Sequence, residues 1–285
     1  MRLANINGRL VLRAADGFID VAKASDGRFG PDPQSVYACW PQFSTWVQAE
    51  ARAQDGLEII EPGIEAVWGP PVPSPRQIFA IGLNYRDHAR ESGVTVPEEP
   101  PVFTKFPTSL TGHLRDITLP EGSVDWEVEL VVVMGSTCHR ATRDTAWQHV
   151  AGLTLGQDLS ERRLQLAGPV PQFSLGKSYP GFAPLGPELV TLEEFDDPDD
   201  LELGCNLQDD EVLQKGRTSD MVFDVPELIV RLSAVCPLLP GDLIFTGTPA
   251  GVGAGRSPQR FLAPGDVLVS WIEGIGTLTN RMVSA

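Results

Sequence analysis

The chain has 285 residues, 42% of them hydrophobic, and a formal net charge of -16. It can bury a sizeable core, as one large domain or a large one with a small partner. A surface this acidic repels phosphate backbones and anionic lipid, which argues against nucleic acid and membrane as partners.

The N-terminus MRLANINGRL has no apolar leader segment, and no apolar run approaches the ~20 residues of a membrane span, so a soluble cytoplasmic protein is expected. Cys39, Cys138, Cys205 and Cys236 are scattered without a C-x-x-C pair, which fits reduced thiols better than a zinc site or disulfides. The 28 glycines and 25 prolines demand many turns. Short β-branched segments between them predict a mixed α/β, mainly β body with a few helices.

Residues 1–69 read as a small N-terminal module. RLVLRAADGFIDVAK predicts a β-hairpin turning at Asp16-Gly17, and FSTWVQAEARAQDG a helix ending at Gly56. The module holds no histidine and no clustered acids, so no chemistry is expected from it. Prolines at 70, 71, 73 and 75 make residues 70–77 a stiff linker to a catalytic domain over 78–285.

That domain opens with IFAIGLNYRDHARESG. Ile78 to Leu83 predicts a buried strand, and Asn84 onward a short helix ending near Gly93. His88 and Glu91, three apart, share a helix face. Such a pair is either an oriented general base or a solvated surface pair. The following GVTVPEEPPV has the composition of a lid loop. Lys105 and His113 come next, in strands and turns; either can line a site, although a lone lysine or loop histidine more often faces solvent.

DWEVELVVVMG, residues 125–135, predicts a strand. Residues two apart on a strand share a face, roughly 6.7 Å apart. Glu127 and Glu129 therefore point the same way out of an otherwise apolar segment. They either face water or repel one another in burial, where a hard divalent cation would relieve them. HVAGLTLGQDLSERRLQL then predicts a strand from Val150 to Leu155, with Asp158 at its end and a helix over Ser160 to Leu166. Asp158 is a turn or cap residue, or the third carboxylate of an all-oxygen site for Mg²⁺ or Mn²⁺. Arg162 and Gln165 share the next helical face and can approach an acidic substrate.

Gly176-Lys177-Ser178 is not a phosphate loop, because Pro171 stands where the first glycine belongs and no helix is predicted to follow. Lys177 is instead a candidate cation for a developing oxyanion. EEFDDPDDLEL misses calcium-loop spacing and reads as a solvated acidic loop. Near the C-terminus Pro226 to Leu232 predicts a helix, and two Pro-Gly-Asp turns each launch a strand. The glycine-rich TGTPAGVG, residues 246–253, offers amides and the Thr248 hydroxyl to an anion. It does not open a helix, so a dinucleotide site is rejected.

The ordered motifs GLNYRDHARE, DWEVELVVVMG, QDLSERRLQ, GKSYPGFAPLGPELVT, PGDLIFTGTPAGVG and FLAPGD resemble the fumarylacetoacetate hydrolase family from about Ile78 to the C-terminus. The resemblance implies that family's β-sandwich roll, generally as a homodimer. It implies Mg²⁺, or Mn²⁺ or Ca²⁺ in its place, on Glu127, Glu129 and Asp158. It also implies catalytic roles for His88, Glu91 and Lys177, and substrate contacts from Arg162, Gln165 and Thr248. Two departures stand out: Gln157 where members usually have Asn, and Gln208-Asp209-Asp210 where an Asn-Gly turn is common.

The expected activity is metal-dependent hydrolysis of a C–C bond in a 2,4-dioxo acid, giving a carboxylate and a 2-oxo acid. The alternative is decarboxylation or isomerisation of a 2-oxo dicarboxylate, which uses the same electron sink. In either case the partner is a small β-dicarbonyl or 2-oxo acid.

Overall fold

The computed structural model describes residues 1–49, 58–208 and 211–285. Among these, eleven strands form one sheet, with the acidic stretch of the sequence near its middle. Val128–Met134 pairs antiparallel with Val150–Gln157 on one side and with Leu243–Phe245 on the other. Past Leu243–Phe245 the sheet continues to Ile78–Ile81 and Val102–Thr104. Past Val150–Gln157 it continues through Ala183–Val190, Arg2–Ile6, Arg9–Ala14 and Gly17–Asp20. A second sheet of five strands runs Val212–Arg217, Glu202–Leu207, Val267–Ile272, Gly276–Ser284, Ile117–Leu119. The fold is mixed α/β and mainly β.

Val128–Met134 is buried along its whole length because both of its faces are covered. Alternate side chains serve two cores. Val128, Leu130, Val132 and Met134 pack in the cluster holding Leu203, Cys205, Leu268 and Leu278 of the second sheet. Val131 and Val133 pack in the cluster holding Tyr37, Trp40, Phe43 and Trp46. That aromatic group comes largely from the helix Trp40–Ala49; its expected continuation to Gly56 lies outside the described residues. The division into 1–69, 70–77 and 78–285 is a reading of composition. In space, Arg2–Ile6 pairs with Ala183–Val190, and the N-terminal aromatics share a core with the central strand.

The expected hairpin forms, with Ala15 and Asp16 as its turn residues, one earlier than expected, since Ala14 and Gly17 are already paired. A second hairpin precedes it that the sequence reading missed. Asn7 and Gly8, at φ 55° and 74°, join Arg2–Ile6 to Arg9–Ala14. Asn-Gly suits the two left-handed positions of such a turn. The C-terminal helix is longer than predicted, Val225–Val235, capped by Asp224, whose carboxylate accepts from Glu227 N. Among the described residues no helix is long and apolar enough to cross a membrane.

Candidate active site

Sheet register assembles the acids. Val128 pairs with Gln157, so the residues just outside that pair, Glu127 and Asp158, meet at the sheet's end, where Asp158 N donates to Glu127 O at 2.9 Å. Glu129 follows on the same strand face as Glu127. The three carboxylates each offer an oxygen within 4.8 Å of the others. Glu127, Glu129 and Asp158 are 6%, 1% and 0% exposed, which removes the reading of a water-facing strand.

The stretch 125–135 is not one continuous strand. Val124–Asp125 is a separate short strand paired with Ser160–Glu161. Asp125 breaks the run by accepting from three backbone amides, those of Trp126, Gly253 and Ala254. At the break, Glu127 N donates to Gln157 Oε1 at 2.9 Å and Val128 N to Gln214 Oε1 at 3.0 Å. The unusual Gln157 is thus a brace for Glu127, with its Nε2 tied to Ser270 Oγ at 2.8 Å.

Three cations face these acids. Lys177 Nζ donates to Glu127 Oε2 at 2.7 Å and Asp158 Oδ2 at 2.5 Å. Arg162 donates to Glu127 Oε1 at 2.6 Å, to Asp125 Oδ2 at 2.9 Å and to Gln165 Oε1 at 2.9 Å. It opens the helix Arg162–Gln165, shorter than expected and capped by Glu161. The third is Lys105, which the sequence left open between solvent and a site. It is fully buried, with Nζ 2.6 Å from Asp158 Oδ1 and also bonded to Lys177 O. Nothing in its local sequence marks it, because the partner is 53 residues away. His113 is also partly buried, its Nδ1 accepting from Thr279 N at 3.1 Å beside the Trp68 ring.

Burial alone would raise every one of these carboxyls. At Glu127 it is outweighed by Lys177 and Arg162, which hold the group well below the usual carboxylate range. Glu129 goes the other way. Burial, and then the like charges of Asp158 and Glu127, push it well above that range and towards its neutral form. Burial lowers Lys105. Burial also opposes the charge on Lys177, but Asp158 and Glu127 overcome it and keep its pKa raised. Three converging carboxylates, one of them short of positive charge, fit a hard divalent ion such as Mg²⁺, Mn²⁺ or Ca²⁺.

Above the acids lies a cavity of about 440 Å³. His88, Glu91, Glu127, Arg162, Gln165, Lys177 and Thr248 all reach its wall. His88 and Glu91 sit on the helix Arg86–Glu91, with His88 Nδ1 and Glu91 Oε1 2.8 Å apart. A carboxylate only accepts, so Nδ1 carries the hydrogen, which in the neutral ring leaves Nε2 as the acceptor. Glu91 in turn accepts from Gly251 N at 2.9 Å, docking the helix on the glycine-rich turn. Gly247 N of the same turn donates to Glu129 Oε2 at 2.8 Å.

Thr248 is held by the fold around it. Its hydroxyl donates to Val128 O and accepts from Gln214 Nε2, both at 2.8 Å. The hydroxyl hydrogen is thus used within the fold, while the Thr248 backbone N–H has no partner among the described residues.

Comparison with known proteins agrees with this architecture. Residues 77–283 match the model of the fumarylacetoacetate (FAA) hydrolase C-terminal domain. Over 253 residues the chain is 42% identical to human oxaloacetate tautomerase FAHD2A, mitochondrial, covering 88% of this chain and 80% of that one. The crystal structure of an HpcE-like protein from Mycobacterium smegmatis superposes with a TM-score of 0.94 at 55% identity, each chain covered in full. Maleylpyruvate hydrolase from Sphingobium sp. SYK-6, crystallised with manganese(II) and pyruvate, superposes at 0.81 with 29% identity, again over both full chains. The chain belongs to the fumarylacetoacetate hydrolase family of enzymes.

Proposed function

We propose that the protein is a Mg²⁺-dependent hydrolase that cleaves a 2,4-dioxo acid into a carboxylate and a 2-oxo acid. The carrying observation is that the His88–Glu91 pair opens onto the same cavity as Glu127 and Lys177. Glu127, Glu129 and Asp158 would hold a divalent ion, which would supply Lewis acidity for the 2-oxo acid end of the substrate.

The remaining steps belong to side chains. Arg162 and Gln165 orient the substrate carboxylate. Glu91 holds the His88 ring so that Nε2 takes a proton from water, an effect worth about 10²–10⁴-fold. The hydroxide adds to the C4 carbonyl. The C3–C4 bond then breaks, leaving its electron pair on C3 as the enolate of the 2-oxo acid, with Lys177 stabilising the negative oxygen. His88 returns the proton to C3. The mass balance is one water consumed and two acids released. Homodimeric assembly, implied by the resemblance, and a cytoplasmic setting, expected from the scattered cysteines, go with this reading; sedimentation tests the first.

A second reading is keto–enol tautomerisation of a 2-oxo dicarboxylate, favoured by the 42% identity to the human oxaloacetate tautomerase. It needs the same proton transfer at His88 but no water. The two separate by product analysis of acetylpyruvate and oxaloacetate with Mg²⁺. Pyruvate and acetate, lost with EDTA and in His88→Ala, are expected for the hydrolase. Intact acetylpyruvate together with accelerated enol decay of oxaloacetate, without release of CO₂, would replace it with the tautomerase.

A further inference from the structure

Asp125 opens the motif DWEVELVVVMG and is fully buried, yet it stands outside the three-carboxylate cluster and does not reach the cavity wall. Its Oδ1 accepts from Trp126 N at 2.9 Å and from Gly253 N at 2.7 Å. Its Oδ2 accepts from Ala254 N and from Arg162 Nε, both at 2.9 Å. Arg162 Nη2 lies 2.8 Å from that same oxygen. A Cβ on residue 253 would sit 2.8 Å from Oδ1 and collide with Arg260 O, so this approach requires glycine. Three backbone amides on two segments fix the carboxylate, which therefore sets the plane of the guanidinium rather than following it.

Arg162 is the partner that reaches the cavity, with its side chain 12% exposed at the wall. Nη1 is taken by Glu127 Oε1 and Gln165 Oε1, at 2.6 and 2.9 Å. Nε is taken by Asp125. Nη2 makes no hydrogen bond among the described residues beyond its approach to Asp125, so it is the nitrogen left to offer a ligand. Burial works against the Arg162 charge, and Glu127 and then Asp125 more than offset it. A guanidinium paired with Glu127 alone could turn about its own side chain. Held along two edges, this planar fork has one orientation.

Resting on the assignment of Arg162 to the substrate carboxylate and deepening it, we propose that Asp125 is a positioning residue for substrate binding. By occupying the Nε–Nη2 edge it presents Nη2 to a 2-oxo acid carboxylate through a single hydrogen bond and denies the ligand a bidentate grip. Asp125 touches no ligand and acts through Arg162.

Calorimetry on the full-length Mg²⁺-loaded protein, with pyruvate as the probe, tests this whatever reaction the enzyme performs. Asp125→Asn keeps the shape and removes the charge that Arg162 faces. Pyruvate affinity should fall about 10–100-fold, the worth of one hydrogen bond to a charged group. Arg162→Met should lose at least as much, and adding Asp125→Asn to it should cost less than about 2-fold more, since the two residues act in series. Additive losses, or wild-type affinity in Asp125→Asn, overturn the positioning role and leave the Arg162 contact standing. Wild-type affinity in Arg162→Met overturns the contact itself and the role of Asp125 with it.

A measurement on the wild type covers the case in which Asp125→Asn does not fold. The Arg162 Nε–H NMR signal, identified by its loss in Arg162→Lys, should keep its shift and slow solvent exchange when pyruvate binds. A ligand that takes the Nε–Nη2 edge from Asp125 would abolish both, and the proposal with them.

Discussion

Glu129 sits inside an eleven-stranded sheet, whereas His88 rides on a helix of six residues. The acidic floor is positioned by ladder register and closed in by two cores, so none of its three acids is more than 6% exposed. The helix Arg86–Glu91 is far below the ~12–15 residues that hold together alone in water. Its root is anchored by Asn84, whose side chain bonds Phe223 N, Phe223 O and Thr246 O. Its tip is anchored by Glu91 on Gly251. The acid cluster is set by sheet register and the His88–Glu91 pair by a short helix held at two points.

The floor gives the largest expected effect. Glu129→Gln removes a ligand while keeping the shape. Mg²⁺ affinity should fall by more than the 10–100-fold typical of an outer-shell partner, and turnover with it. Metal-free stability should move the other way. Glu129 is held above its usual range, so its stabilising share is present at low pH and lost as pH rises through that raised value. The glutamine variant should therefore melt higher than wild type near neutral pH without metal, and gain nothing from Mg²⁺. In the wild type, Mg²⁺ must expel that proton, so its affinity should weaken as pH falls. Calorimetry across pH checks both, and a pH-independent affinity would break the assignment of Glu129.

Lys105 sharpens the same side of the comparison. Lys105→Met leaves Asp158 with one buried cation fewer, and removing one partner of a buried pair costs about 3–5 kcal/mol. Chemical denaturation should register that loss, together with Mg²⁺ binding weaker by about 10–100-fold. Unchanged stability would mean that the Lys177 contact to Asp158 suffices alone.

On the lid, Glu91→Gln keeps a hydrogen-bond acceptor for Gly251 but removes the charge facing His88. Turnover should fall about 10–100-fold, less than the full 10²–10⁴ that general-base catalysis supplies, with Mg²⁺ affinity unaltered. A change in metal affinity instead would couple lid and floor more tightly than their separate anchors imply.

The same contrast explains what the sequence disclosed. The acids were legible because period-two alternation places Glu127 and Glu129 on one face, and because a strand end is where Asp158 had to stand. His88 and Glu91 were legible from helical spacing. The full burial of the LVVV run also followed from its composition. Lys105, Gln157 and Gln214 were opaque, since each acts on a group that the chain brings close only by folding: Asp158, Ser270 and Val128. Asn7-Gly8 was legible and overlooked. The break at Trp126 depends on amides of 253 and 254 reaching Asp125, a contact no local pattern encodes.

Thr248 lies where the two regions meet, and it tests how far a motif can be read as chemistry. In the sequence its hydroxyl is an anion donor on a glycine-rich turn. In the fold that hydroxyl joins Val128 O of the floor to Gln214, whose amide also bonds Pro249 O. Thr248→Val keeps the volume and strips both bonds from buried partners. It should cost about 1–3 kcal/mol of stability, the price of leaving such groups unsatisfied. KM should hardly change if the free group offered to a ligand is the backbone N–H, which valine retains. Thr248→Ser, which preserves the hydroxyl, should restore most of the stability. If Thr248→Val instead raises KM ~10-fold and leaves the denaturation midpoint in place, the hydroxyl is a substrate ligand and the turn belongs to the lid's chemistry.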